Sequence, residues 1–350
     1  MNAIKPTGAE RIQINTQRHA VAENMALAGT LAAKRLAVPG ACSADLNRTP
    51  SGELGMVAHG KKLAAIGKAA NNSLVVVRYV AEKPRTNTGF TGIIHEPGGT
   101  AAYLEGARQL HQAGVPFASE VMSDAGAELV VPHLTMGWVG AREVSATGPR
   151  YAVRPTNLDR EQGVHPLPVW VKNDQDGDLT HTINAVRTIM SEKPQPRTRM
   201  GVDGFQELVT YGNPHVGVIL RGQDNRPDGP IEEIMAEEIG TAREKLDGEF
   251  GPNRIPIMVD VSHAHAKYEG GGENGQLAVA SAMGGLAFDG WMAETYIHSG
   301  KQGSEGIIPG LSLTDACIGE QHVETLLMEM DGTLDGELAM LVANQEVIRV

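Results

Sequence analysis

The sequence predicts an α/β protein, a closed (β/α)8 TIM barrel with an N-terminal extension and a small β-ribbon insertion. Three features carry the prediction. Short apolar runs recur along the chain, helix-like segments follow most of them, and charged residues fall at or near the ends of the runs. Continuous apolar strands with helical crossovers make a parallel sheet covered on both faces. Eight such runs suit a closed barrel better than the alternative, an open doubly wound sheet.

The first run is 36–38, followed by a helix-like stretch at 60–70. The second, 73–80, is rich in Val and carries Arg78, with Lys83 just beyond and a helical pattern at 100–113. The third, 115–120, ends on Glu120, and the fourth, 136–141, runs into Arg142. The fifth, 167–172, ends on Lys172 and leads to a helical segment at 178–190. Residues 195–213 lack a helix signal and read as a ribbon or loop insertion. The sixth run, 215–221, ends on Arg221 and precedes a helix at 231–245. The seventh, 256–260, precedes His263 and a helix at 275–283; the eighth, 286–294, ends on Glu294 before a helix at 314–330. This divides the chain into an N-terminal extension, 1–35, and one barrel domain, 36–350.

Composition narrows the function. With 350 residues, 41% hydrophobic and 21% charged, the chain can bury a full core. Its apolar runs, such as 74–77 and 169–171, are strand-sized, far short of the ~20 residues of a membrane helix. The start, MNAIKPTGAERIQ, has no continuous apolar stretch and does not read as a secretory signal. Two cysteines, Cys42 and Cys317, make no disulfide framework, so a reducing, cytoplasmic setting is expected. A net charge of −12 argues against nucleic-acid binding, so an anionic ligand needs a local cluster of Arg and Lys. No P-loop and no G-x-G-x-x-G after a strand is present, which leaves nucleotide chemistry unsupported. The Glu-rich helix 231–245 reads as a solvated face, and Gly270–Gly272 as a loop rather than a phosphate nest.

In a parallel barrel the chemistry sits at the carboxyl ends of the strands. Charged side chains there must be paired or serve a ligand, because unpaired burial costs several kcal/mol. They fall into two groups. Arg78, Lys83, Arg142, Lys172 and Arg221 form a cationic set suited to a small, highly anionic substrate such as phosphoenolpyruvate. Cys42, His263, Glu294 and Asp315 mix sulfur, nitrogen and oxygen donors, which suits Mn, Fe, Co or Zn better than Mg or Ca. Spacing alone leaves open that His263 is an ordinary buried histidine and Cys42 an inert thiol.

The stretches VVRYVAEKPRTNTG (76–89), WVGAR (138–142), PVWVKNDQDG (168–177), TYGNP (210–214), VILRG (218–222), IMVDVSHAH (257–265) and LTDACIG (313–319) are distinctive together. With them the chain resembles the microbial, metal-dependent class I 3-deoxy-D-arabino-heptulosonate 7-phosphate (DAHP) synthases, transferases at the entry to the shikimate pathway and aromatic amino acid biosynthesis. The resemblance implies condensation of phosphoenolpyruvate with erythrose 4-phosphate, a divalent metal, and a cytoplasmic homo-oligomer, dimer or tetramer. It carries phosphoenolpyruvate binding onto Arg78, Lys83, Arg142, Lys172 and Arg221, metal binding onto Cys42, His263, Glu294 and Asp315, and acceptor contacts onto Pro84, Arg85 and Thr86. Lys83, Glu120 and His263 are the candidates for catalytic proton management. The departures lie on the acceptor side: GACSADLNRTP (40–50) around Cys42, Asn87 after Thr86, and GAREVSA (140–146). A different aldose acceptor in a specialised-metabolite pathway is therefore an alternative expectation, and a catalytically silent metabolite-binding barrel a second one.

Overall fold

The computed structural model describes residues 5–41, 52–70, 72–83, 90–141, 165–191, 197–201, 204–208, 212–225, 227–303 and 308–332. The chain opens with α1 (Gly8–Ala26), β1 (Arg35–Ala41), α2 (Gly55–Ala69), β2 (Ser73–Val75) and β3 (Val77–Tyr79). It continues through α3 (Gly99–Gln112), β4 (Phe117–Glu120), α4 (Asp124–Val130), β5 (Met136–Val139), β6 (Val169–Lys172) and α5 (Thr180–Met190). An antiparallel pair, β7 (Arg197–Gly201) and β8 (Gly204–Leu208), precedes β9 (Val216–Leu220), α6 (Ile231–Phe250) and β10 (Ile257–Asp260). The last elements are α7 (Ala264–Tyr268), α8 (Gly272–Ala282), β11 (Gly290–Tyr296), β12 (Ile318–Gly319) and α9 (Glu320–Met330).

The sheet closes on itself. Parallel pairing runs from β1 through β3, β4, β5, β6, β9 and β10 to β11, and β11 pairs back onto β1. The fold is a (β/α)8 barrel. The expected strand over 73–80 is in two pieces because β2 pairs with β1 low in the barrel and β3 pairs with β1 higher up, with the break at Val76. The expected helix over 314–330 starts only at Glu320, because residues 315–319 turn back onto Gly300 and β11. Between β4 and β5, where the sequence shows no helical period, α4 forms behind an N-cap at Ser123.

Strand alternation sets two cores. Val77, Tyr79, Phe117, Val139, Val169, Val171, Val218, Leu220, Ile257, Val259 and Trp291 face the surrounding helices. Leu36, Val38, Val76, Ala118, Met136, Trp138, Trp170, Ile219, Met258 and Met292 fill the interior. Successive side chains on a strand point to opposite faces, so the residue two positions further along returns to the interior. That step places Arg78, Glu120, Lys172, Arg221, Asp260 and Glu294 in one layer above the apolar filling, at the carboxyl end.

The opposite end is plugged by α1, whose Val21 and Met25 join the interior core. A capping box starts this helix: Thr7 accepts from the Glu10 backbone and Glu10 from the Thr7 backbone. Fully buried Arg18 ties it down by donating to the carbonyls of Leu134 (2.7 Å), His165 (3.1 Å) and Val131 (2.7 Å). Three backbone carbonyls thus take up hydrogen bonds from the guanidinium. No helix among the described residues is long and apolar enough to cross a membrane.

Candidate active site

The charged layer is stitched together by ion pairs. Arg78 Nη2 lies 2.6 Å from Glu294 Oε1, with both side chains fully buried. Lys172 Nζ lies 2.5 Å from Asp260 Oδ2, and Lys83 Nζ lies 3.1 Å from Asp315 Oδ2. Isolated burial of the charges in the first two pairs would be prohibitive, and mutual pairing offsets it. Gly40 makes the first contact possible. It stands in register with Arg78 on one side and Glu294 on the other. Its φ is +146°, and a Cβ there would sit 2.0 Å from the Arg78 carbonyl oxygen. Only glycine fits.

Glu82 and Lys83 follow β3. The Glu82 carboxylate accepts from Ser123 Oγ at 2.8 Å and 3.0 Å, linking the lysine segment to the start of α4. Glu120 is buried at the end of β4, in register with Trp138.

Donor atoms of His263, Glu294 and Asp315 lie within 4.8 Å of one another. His263 Nδ1 is 2.7 Å from Asp260 Oδ2, so that nitrogen donates its proton to the carboxylate and Nε2 is left to serve as a ligand. Burial pushes the His263 pKa down from its ordinary value, against the pull of Asp260, which keeps the ring neutral at neutral pH. Burial pushes the Asp260 carboxyl up, but His263, Lys172 and Arg78 together hold it well below the usual carboxylate range. A neutral imidazole beside two carboxylates is a donor set that fits a divalent transition metal.

Arg221 follows β9 and is positioned by its backbone. Its amide donates to Asn173 Oδ1 at 2.7 Å, and its carbonyl accepts from Ala264 N at 3.1 Å. The guanidinium donates to Asp224 through Nη2 at 3.1 Å, while buried Nη1 has no hydrogen-bond partner among the described residues. The Asn173 amide nitrogen is likewise buried and without a partner among the described residues. These two buried donors, next to Lys172, are available to an anionic acceptor.

Behind Arg221 stands His265, fully buried. Nδ1 faces the Asp260 carbonyl at 2.9 Å and Nε2 faces Glu238 Oε2 at 2.6 Å. Both neighbours are acceptors, so both ring nitrogens donate. Burial pushes this histidine down, but Glu238 and the Asp260 carbonyl outweigh it and raise the pKa. A Cβ on Gly222 would lie 2.7 Å from His265 Cδ2, so the Arg221–Gly222 turn, with φ +78° at the glycine, rests directly on the imidazole.

Of the residues singled out from the sequence, Arg78, Lys83, Glu120, Lys172, Arg221, His263, Glu294 and Asp315 are at this end of the barrel. Cys42, Pro84, Arg85, Thr86 and Arg142 lie outside the described residues. Asp260, Asn173 and His265 were not among them. Asp260 had a visible signal, a carboxylate closing an apolar strand three residues before His263; the other two act through contacts far apart in sequence.

The sequence profile described as the DAHP synthetase I family matches residues 38–328, most of the chain and every strand of the barrel but the first residues of β1. The chain belongs to the DAHP synthetase I family. Among relatives in this family, the Tyr-sensitive phospho-2-dehydro-3-deoxyheptonate aldolase of Salmonella typhimurium is 30% identical over 308 residues, 81% of this chain and 80% of that protein. The phospho-2-dehydro-3-deoxyheptonate aldolase AMT16 of Alternaria alternata is 30% identical over 297 residues, 79% and 74% of the two chains. The barrel also resembles that of the phospho-2-dehydro-3-deoxyheptonate aldolase from Francisella tularensis, with a TM-score of 0.73, 20% identity, and coverage of 93% of this chain and 92% of that one. The DAHP synthetase I match spans the charged layer, the His263 segment and Asp315 alike.

Proposed function

We propose that this protein condenses phosphoenolpyruvate with erythrose 4-phosphate to give DAHP and inorganic phosphate. The observation that carries the reading is the interlocking of the cationic set with the His263, Glu294 and Asp315 group at one barrel mouth. Family membership supports the same chemistry.

In this reading C3 of phosphoenolpyruvate forms a bond to the aldehyde carbon, water adds to C2, and phosphate leaves from C2. Arg221 Nη1, the Asn173 amide and Lys172 offer donors to the carboxylate and phosphate of phosphoenolpyruvate, with Arg78, Lys83 and Arg142 completing the positive field. Holding both reactants in one mouth replaces a bimolecular encounter by an oriented one. Pro84, Arg85 and Thr86 are assigned to the phosphorylated acceptor. Lys83 and Glu120 are the groups within the mouth that exchange protons with the attacking water and the new hydroxyl, while His263, with Nδ1 bound to Asp260 and Nε2 left for the metal, acts as a ligand.

His263, Glu294 and Asp315, with Cys42, would hold a divalent metal, Mn, Fe, Co or Zn. When bound, such a metal supplies Lewis acidity toward an aldehyde oxygen. Cytoplasmic work and assembly into a homo-oligomer go with this function. Ile12 in α1, and Leu27 and Leu31 just beyond it, are exposed apolar side chains that a second copy would cover.

The test is phosphate release from phosphoenolpyruvate in the presence of Mn(II) or Co(II), with product mass read for each of a panel of aldoses. A seven-carbon product from erythrose 4-phosphate supports the proposal. A different product mass redirects it to another acceptor, and a folded, metal-loaded protein that releases no phosphate with any aldose overturns it.

A further inference from the structure

The metal-binding group is drawn from three separate segments, after β10, within β11 and before β12, and something must hold them in mutual register. The side chain of Gln276, 1% exposed on α8, spans two of them. Its Oε1 accepts from the backbone amide of Glu294 at 2.9 Å, and its Nε2 donates to the carbonyl of Ala316 at 2.9 Å. One amide thus touches the backbone of Glu294 itself and that of the residue next to Asp315. The two bonds fix which end of the amide is oxygen, since each partner accepts only one orientation.

The helix that carries Gln276 is also locked to the third segment. A Cβ on Gly275 would lie 2.2 Å from the carbonyl oxygen of Ala266, so α8 packs backbone to backbone against α7, which begins one residue after His263. Gly271 N donates to that same Ala266 carbonyl at 2.7 Å. From the first turn of α8, Glu273 Oε1 accepts from Gly319 N at 3.1 Å and from His322 Nδ1 at 2.8 Å, which pins the far end of the Asp315 segment. The first two turns of α8 therefore reach the His263, Glu294 and Asp315 segments together.

We propose that Gln276 is a positioning residue for the metal-binding group: its amide sets the separation of the Glu294 and Asp315 segments, whose carboxylates would hold the metal. The inference rests on the reading of His263, Glu294 and Asp315 as metal ligands. Groups behind the ligands fix their geometry, and their loss typically lowers metal affinity by about 10–100-fold. Gln276 touches no substrate in this account and acts only through the ligands.

The experiment is Co(II) binding to wild type, Gln276→Met and Gln276→Glu, read by competition with a chromophoric chelator and by the visible Co(II) spectrum. Methionine keeps the volume and removes both hydrogen bonds. Glutamate keeps the acceptor for Glu294 N and loses the donor to Ala316 O, and it serves as the folded comparison should Gln276→Met not fold. Expected is a Co(II) affinity about 10–100-fold weaker in Gln276→Met, a smaller loss in Gln276→Glu, and an altered Co(II) spectrum in both. Wild-type affinity and spectrum in a folded variant overturn the role of Gln276 while leaving the metal reading intact. Absence of Co(II) binding by the wild type overturns the metal reading and this proposal with it.

Discussion

Lys172 and His263 meet on a single oxygen, Oδ2 of Asp260, at 2.5 Å and 2.7 Å. The second oxygen of that carboxylate accepts from Ser262 Oγ at 2.6 Å. One buried anion thus joins the lysine assigned to the anionic substrate and the histidine assigned to the metal. The two halves of the site cannot move independently.

Replacing that anion exposes the coupling. Asp260→Asn leaves the buried Lys172 without its counter-charge and weakens the acceptor that orients His263. Breaking a buried pair by neutralising one partner costs about 3–5 kcal/mol, so the urea midpoint should fall markedly. Metal affinity should fall as well, by about 10–100-fold. Equilibrium unfolding with a parallel Co(II) titration checks both effects; a loss of stability with unchanged Co(II) affinity would separate the two halves again.

Arg221 makes a narrower prediction. Its backbone is held by Asn173 and Ala264, so truncating the side chain leaves the turn in place. Arg221→Ala removes the buried Nη1 donor and should cost about 1.5–3 kcal/mol of phosphoenolpyruvate binding per charge-assisted hydrogen bond lost. That is roughly ten- to a hundred-fold in affinity. Titration of the folded variant with phosphoenolpyruvate measures it, and an unchanged Kd would remove Arg221 from the substrate site.

The charged layer was legible because barrel strands alternate with period two. Lys172, Arg221 and Glu294 each close an apolar run, and Arg78 interrupts one, in phase with an inward residue two positions earlier. The break at Val76 was not legible, since Leu74 to Val77 is uniformly apolar and only the shared pairing with β1 splits it. The α1 plug was half legible: Thr7 and Glu10 spell a capping box, but its polar side chains give the helix a weak apolar face, and buried Arg18 looks like a surface residue in sequence. Gln276 and Glu238 were invisible for a different reason. Their partners lie 18 to 40 residues away, and nothing in local composition marks a side chain that supports another.

Removing the metal should separate function from fold. Glu294 and Asp315 already face Arg78 and Lys83, so the carboxylates do not repel one another unscreened when no cation is present. A chelator should therefore abolish phosphate release while the far-ultraviolet circular dichroism spectrum stays unchanged. The stabilisation lost is that of any ligand specific for the native state, about 2.7 kcal/mol at a metal concentration 100 times Kd. Thermal scans with and without chelator, alongside the spectrum, test this, and global unfolding on chelation would contradict it.

Acid stability should carry the mark of His59. This side chain is fully buried between the rings of Tyr79 and Tyr296, with Nδ1 2.8 Å from the Tyr79 hydroxyl. Burial, with a smaller contribution from Lys62, pushes its pKa down to about 3 from an ordinary 6.5. Between these values the unfolded chain binds a proton at this position and the folded protein does not. Stability contributed by the neutral ring is therefore complete above the ordinary value and is lost as the pH falls below it. The slope is about 1.4 kcal/mol per pH unit for one proton. Urea unfolding at pH 6.0 and 5.0 should show this loss for wild type, and His59→Leu should show a slope smaller by one proton. Equal slopes would mean that the folded protein accommodates a charged His59 and would overturn the prediction.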